Sequence, residues 1–217
     1  MKLKKVDELG IRSCSYLTDL DTCFYWHEYE ARAGFRHSDS NQFVWNFKKP
    51  LNANGQSYKQ KAIRSAADLW IGLVEQYYSH FARWPFEIVI MPTSKAPIDS
   101  AYDDRLRKTI EIARENLADS EVDFGFIEVA HTRCSRTAAH EGGDRLSPDD
   151  LISSWEIDLG KLDQISRDVI IFDDVLTTGS HFAALKQVIT KYQPTVEVHG
   201  VFLAKTNDLV DPFGLSG

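Results

Sequence analysis

The stretch that most constrains this chain is Asp168-Val169-Ile170-Ile171-Phe172-Asp173-Asp174-Val175-Leu176-Thr177-Thr178-Gly179-Ser180-His181. Val169 to Phe172 is unbroken by polar residues, as expected of a strand covered on both faces. Two adjacent acids follow, then a short loop of hydroxyls and one glycine. From Ser180 onward Phe182, Leu185, Val188, Ile189 and Tyr192 recur at helical spacing. Gly179 allows positive φ or close backbone approach. A loop that enters a helix N-terminus presents backbone N–H groups and partial positive charge, which suits a phosphate. Two carboxylates beside it can hold vicinal hydroxyls or a divalent cation. Phosphate, diol and metal together point to a phosphorylated ribose. An ordinary βα turn would account for Gly179 and Ser180 but not for Asp173-Asp174 at the end of a buried strand. There an unpaired acid pair repels itself and is costly to desolvate. The other common phosphate motifs, GxxxxGKS/T and GxGxxG, are absent from the chain.

These residues resemble the phosphoribosyl pyrophosphate (PRPP) signature of the type I phosphoribosyltransferase superfamily: aliphatic positions, two acids, two aliphatics, and a Thr-Thr-Gly-Ser loop. His181 departs from it, since the family usually places a small residue there. The resemblance implies an α/β fold, Rossmann-like, with a parallel central sheet and flanking helices, and a small N-terminal hood. It covers roughly residues 84–206. The expected division is an aromatic-rich, hood-like region over 1–58 and a phosphoribosyltransferase-like core over 59–217.

A second strand-to-loop junction lies upstream. The apolar run 86–91 ends in Pro92-Thr93-Ser94-Lys95-Ala96-Pro97. Ligands of doubly wound sheets sit beyond the C-terminal ends of the strands, and lysine is a suitable point charge for phosphate. An ordinary surface turn between two prolines is the competing reading. A third strand, 124–130, opens a polar segment, 131–145, that carries Arg133, Arg136 and Arg145, the clearest basic cluster in an acidic chain. Gly142-Gly143 reads as a hinge, and long loops in such domains are often lids. Ser147-Pro148-Asp149-Asp150 reads as a capped helix start. Surface salt bridges to Asp144, Asp149 and Asp150 are the alternative for the arginines. The Arg136-Thr137-Ala138-Ala139-His140 run, Arg145 and the Leu203-Ala204-Lys205-Thr206 strand ending are similar to the ComF-like branch. The four-cysteine zinc site common in that branch is absent.

Three cysteines, Cys14, Cys23 and Cys134, without a CxxC pair argue against a disulfide framework and a zinc ribbon. They suit a reduced cytoplasm. With 25 Lys+Arg against 32 Asp+Glu, the net charge is −7. That gives no global attraction to nucleic acid or anionic membrane, and neither is an expected partner.

Elsewhere the periodicity predicts a helix from Ser57 to about Ser79 with a stripe of Ala62, Ala66, Leu69, Trp70, Leu73, Val74 and Tyr77. It predicts another from Ser100, where Arg105 and Arg107 could face the pocket but default to solvated surface, and a final strand over 196–205. Phe43, Trp45 and Phe47 alternate as in a half-buried strand ended by Lys48-Lys49-Pro50. The aromatics of 19–29 read as packing material rather than a base-stacking surface.

The resemblance implies transfer of the 5-phosphoribosyl group from PRPP to a nitrogen nucleophile, a nucleobase-like small molecule, with release of pyrophosphate and with Mg2+ as cofactor. Asp173 and Asp174 would be the catalytic pair and would meet Mg2+, directly or through PRPP and water. Thr177, Thr178, Gly179, Ser180 and His181 would cradle the 5′-phosphate. Thr93, Ser94 and Lys95 would bind pyrophosphate, and Arg133, Arg136 and Arg145 would belong to the flexible loop. A homodimer is the candidate assembly. The alternative is a non-catalytic PRPP- or nucleotide-binding regulator, or a ComF-like accessory protein.

Overall fold

The aliphatic run and its neighbours build a six-stranded sheet in the computed structural model, which describes residues 1–76, 86–118, 125–135 and 146–207. The strands are β1 (Lys4–Lys5), β2 (Thr22–Tyr29), β3 (Phe86–Ile90), β4 (Gly125–Ile127), β7 (Asp168–Leu176) and β8 (Val198–Thr206), in the order β1-β2-β8-β7-β3-β4. All pairs are parallel except β1 with β2. Two further strands, β5 (Ala130–Thr132) and β6 (Trp155–Ile157), pair antiparallel as a separate ribbon. The helices are α1 (Glu8–Ser13), α2 (Asp39–Phe47), α3 (Gln56–Gln76), α4 (Arg105–Asn116), α5 (Pro148–Ser154), α6 (Leu159–Leu162) and α7 (Ser180–Tyr192). The architecture is therefore α/β, with a mostly parallel sheet flanked by helices. Among the described residues, no helix is long and apolar enough to cross a membrane.

Strand β7 lies between β3 and β8 and is buried over most of its length. Its alternation sorts side chains to two faces. Phe172 meets Trp70 of α3 edge-on at 5.2 Å, and Trp70 in turn meets Trp26 of β2 at 5.7 Å. On β8, Gly200 leaves no room for a side chain against Phe182 of α7. Trp26 and Phe47 are core residues, so these N-terminal aromatics pack as expected, and β2 joins the main sheet beside β8.

Several local expectations change. Residues 39–47 form a helix, not a strand. A Phe-x-Trp-x-Phe run places Phe43 and Phe47 four apart on one helical face, 6.0 Å between rings, and leaves Trp45 exposed. The helix start is fixed by Ser38, whose hydroxyl accepts from the Asn41 N–H at 3.0 Å. The expected strand over 124–130 is broken: β4 stays in the main sheet, whereas Ala130–Thr132 turns away to pair with β6. Helix α4 starts at Arg105, not Ser100. Asp99 captures the Ala101 N–H at 2.8 Å in a local turn that competes with a helix. Helix α3 buries the predicted stripe, with Leu69 only partly covered, and ends its described length at Gln76. Tyr77 lies outside the described residues. Strands β3, β7 and β8 fall within two residues of expectation. Ser147 forms the anticipated capping box with Asp150, and Pro148 sits in the first turn.

Candidate functional site

The sheet order creates one switch point. From β3 the chain crosses through α4 to β4 on one side, and from β7 it crosses through α7 to β8 on the other. Loops that leave adjacent strands in opposite directions open a crevice at their C-terminal ends, where ligands of open α/β sheets bind. The β3–α4 and β7–α7 loops flank this crevice. β7 also outruns β3: β3 ends at Ile90 opposite Phe172, whereas β7 continues to Leu176 along β8 alone. Asp173 and Asp174 lie just beyond the last β3 partner.

The two acids are neighbours in sequence but sit on opposite faces of β7. Asp173, in phase with Val169 and Ile171, faces α7. Its Oδ1 accepts from the Asp174 backbone N–H at 2.7 Å, and its Oδ2 lies 3.8 Å from His181 Nδ1. Oδ2 accepts no hydrogen bond from the described residues. Asp174, in phase with Phe172, faces the α2–α4 side. Lys48 Nζ reaches its Oδ1 at 3.2 Å and the Arg105 guanidinium its Oδ2 at 2.5 Å. The same guanidinium binds Asp103 at 2.8 Å, and Asp103 accepts from Lys59 at 2.6 Å. Lys59, fully buried, also donates to the carbonyls of Lys49 and Phe47. A chain of five charged side chains thus runs under the sheet end, from Lys48 through Asp174, Arg105 and Asp103 to Lys59. Strand alternation and this chain relieve the repulsion expected of an isolated acid pair.

Asp174 and Arg105 hold each other in ionised form. Burial alone would raise the Asp174 pKa, but Lys48 and Arg105 outweigh it and hold the carboxyl well below its ordinary range. Burial likewise opposes charge on Arg105, and Asp174 with Asp103 reverses this. At Lys59 burial wins: its pKa is lowered despite Asp103.

The β7–α7 loop is shaped by its own chain. Gly179 has φ 82°, a left-handed conformation suited to glycine. It ends the loop as the N-cap of α7, and no side chain caps that helix. Leu17 packs on Gly179 so closely that a Cβ there would lie 2.8 Å from its Cγ. Tyr16 N–H donates to the Thr178 carbonyl at 3.0 Å, and the Cys14 thiol to the Thr177 carbonyl at 3.1 Å. Those carbonyls are engaged on the Cys14–Leu17 side, and among the described residues no hydrogen bond is donated by the N–H groups of residues 177–181. Thr177 is exposed, and Thr178, Ser180 and His181 are half-buried.

Across the crevice, Thr93 folds onto its own loop, with its hydroxyl donating to the Lys95 carbonyl at 3.0 Å. Thr132 donates to the Thr93 carbonyl, and Ser135 accepts from the Ala96 N–H at 3.0 Å, so this loop is tied to the base of the polar segment. Thr93 and Lys95, but not Ser94, line a cavity of about 460 Å³ with Tyr102, Arg107, His131 and Lys161. Neither acid of β7 nor the β7–α7 loop lines it. The cavity therefore lies on the β3 side of the switch point, walled by the Thr93–Lys95 loop and apart from the β7 acids. Arg133 is exposed, and its guanidinium donates to the Trp155 carbonyl at 3.1 Å. Arg136 and Arg145 lie outside the described residues. None of the three cysteines is in a disulfide.

Sequence reasoning missed the cations around Asp174. Arg105, read by default as solvated surface with a pocket-facing position as the alternative, is largely buried between two acids, while Lys48 and Lys59 carried no expectation as site residues. Ser38-Asp39 ahead of an apolar i, i+4 pair was the available signal for α2, and hence for Lys48 at its C-cap.

A directly bound Mg2+ fits Asp174 poorly, because both of its oxygens already face cations, Lys48 and Arg105, with which the dication would have to compete. Among the described residues, no group of three or more His, Cys, Asp or Glu side chains is arranged to hold a metal ion. Compared with known proteins, the chain matches no family model and no curated protein.

Proposed function

We propose that the protein binds a 5-phosphoribosyl ligand of the PRPP class at the switch point and transfers its phosphoribosyl group to a nitrogen nucleophile, a nucleobase-like molecule, releasing pyrophosphate. One observation carries this reading: the uncapped α7 N-terminus, entered through left-handed Gly179, stands beside an Asp173 oxygen that accepts no hydrogen bond among the described residues, at the end of the sheet where two crossovers diverge. The N–H groups of residues 177–181 and the helix dipole would hold the 5′-phosphate. Asp173 Oδ2 would accept from a ribose hydroxyl. The same carboxylate would offset positive charge that develops on the ring as the C1–oxygen bond to pyrophosphate breaks and the C1–nitrogen bond forms, since Asp174 is already neutralised by Lys48 and Arg105. Lys95 and the arginines of the 131–145 segment would take the leaving pyrophosphate. Preorganised charge is then the main source of rate.

The test is calorimetry with PRPP and with ribose 5-phosphate in excess Mg2+, followed by an assay of pyrophosphate release over a panel of bases. Binding with base-dependent release supports the transferase. Absence of binding by either ligand ends the reading. A second reading, a regulator that binds without turnover, is favoured by His181, which stands against Asp173 where the family has a small residue. Tight binding without release across the panel selects it.

A further inference from the structure

A divalent cation beside a sugar diphosphate does two things: it neutralises charge and links ligand oxygens to a protein carboxylate. Asp174 already has positive groups on both of its oxygens, brought by two separate elements: Lys48 from the C-cap of α2 and Arg105 from the first residue of α4. Their capacity to do more differs. Arg105 is committed, one terminal nitrogen on Asp103 and the other on Asp174. An ammonium has three donors. Lys48 uses one of them, on Asp174, its Nζ makes no other hydrogen bond to the described residues, and its side chain keeps 22% exposure. Lys48 is thus a cation with two donors to spare, fixed by a carboxylate at the end of β7. The cluster of Lys48, Lys59 and Arg105 with Asp103 and Asp174 carries one net positive charge in a chain whose total is −7.

We propose that Lys48, supported by Arg105, stands in the place of a divalent cation, so that this site binds 5-phosphoribosyl pyrophosphate without metal. The inference rests on the phosphoribosyl reading above and adds to it which group meets the charged ligand. A metal that must compete with two fixed cations for Asp174 gains little there, whereas an anion placed beside Lys48 gains a charge-assisted hydrogen bond.

Calorimetry with PRPP in excess EDTA and in excess Mg2+, on the wild type, Lys48→Met and Lys48→Arg, tests this. The expected wild-type affinities agree within about twofold in the two buffers. Lys48→Met weakens binding in EDTA by about tenfold or more, the loss of one good ionic contact, and Mg2+ recovers it, because the vacated Asp174 oxygen then accepts the cation. Lys48→Arg keeps the EDTA affinity. A wild type that binds in Mg2+ but not in EDTA overturns this inference and leaves the phosphoribosyl reading standing. Lys48→Met that binds in EDTA as well as wild type also overturns it, as does a loss that Mg2+ does not recover, which marks Lys48 as a structural support. No binding in either buffer removes the phosphoribosyl reading itself.

Discussion

Asp174 lies on the α4 side of β7 with Lys48 and Arg105 on its oxygens, and the charge chain continues to the buried Lys59. Asp173, one residue earlier, lies on the α7 side. It is braced by a single backbone N–H, with His181 at ion-pair rather than hydrogen-bond distance. One face joins three helices to the sheet through largely buried charges; the other is a polar loop edge with unused hydrogen-bonding capacity. Two acids of identical chemistry thus acquire different surroundings from strand alternation alone: Asp174 is tied to three helices, and Asp173 keeps an oxygen that, under the proposed function, would meet the ligand. If this contrast holds, perturbing the Asp174 face changes stability first, and perturbing the Asp173 face changes binding first.

The largest expected effect is on the Asp174 face. Asp103→Ala leaves Lys59 buried with only carbonyl partners and removes one of two acids from Arg105. Breaking a buried pair from one side costs about 3–5 kcal/mol, to be read as a shift in the urea unfolding midpoint at unchanged slope. The double variant Asp103→Leu with Lys59→Met recovers most of the loss, since it removes both charges. A loss below 1 kcal/mol in Asp103→Ala would show that the chain of charges does not hold the helices.

Acid titration separates the charged face from the rest of the sheet. His27, stacked on Phe43 and half-buried, is pushed down to about 4 from an ordinary 6.5, by burial first and then by Lys4 and the N-terminus. Its folded pKa is below its unfolded one, so its contribution is present above pH 6.5 and is lost as pH falls toward 4. The sign is the same at Asp174, whose contribution is present above the ordinary carboxylate range and is lost only at more acid pH. Two steps of destabilisation are expected in the wild type. His27→Gln removes the first, and Asp174→Asn diminishes the second. A His27→Gln profile that still falls between pH 6.5 and 4 would contradict the assignment.

What was legible in the chain follows the same division. β7, its loop and α7 could be read because a doubly covered strand must be an apolar run, left-handed backbone favours glycine, and a helix repeats every 3.6 residues. Each of these rules is local. The charge chain was not legible because its contacts are not local: Lys59 and Asp103 are 44 residues apart, Arg105 and Asp174 are 69 apart, and Lys48 and Asp174 are 126 apart. An arginine at the first position of a helix looks solvated until the strand beneath it is known to end in an acid. Phe43, Trp45 and Phe47 failed for a different reason: a five-residue window satisfies both period 2 and an i, i+4 pair, and only the Ser38 cap breaks the tie.

The loop edge gives a smaller effect with two separable parts. Gly179→Ala places a side chain at φ 82° and drives its Cβ into Leu17. Backbone strain of this kind costs about 1–3 kcal/mol. Adding Leu17→Ala relieves the overlap but not the dihedral, so partial recovery of the melting temperature is expected. Both variants should weaken ribose 5-phosphate binding, because the loop N–H groups are displaced. Full recovery of stability in the double variant would mean that the glycine serves only to admit Leu17.

The smallest stability change should accompany the sharpest change in binding. Asp173→Asn retains an oxygen to accept the Asp174 N–H and loses the charge that faces His181 across 3.8 Å. That pair is half-open to water at His181, and exposed pairs contribute about 0–1 kcal/mol, so unfolding should move by less than about 1 kcal/mol. Binding is a different matter. A carboxylate that accepts from a ribose hydroxyl contributes a charge-assisted bond of about 1.5–3 kcal/mol, which converts to roughly a ten- to hundredfold loss of affinity for ribose 5-phosphate. Asp174→Asn should show the reverse order, losing stability through its unmatched Lys48 and Arg105 before it loses ligand. Measuring both variants by urea unfolding and by calorimetry gives four numbers whose pattern is the result. Equal stability losses at the two positions would abolish the distinction between the faces. Unchanged affinity in Asp173→Asn would remove Asp173 from the ligand site and leave the uncapped helix as its sole support.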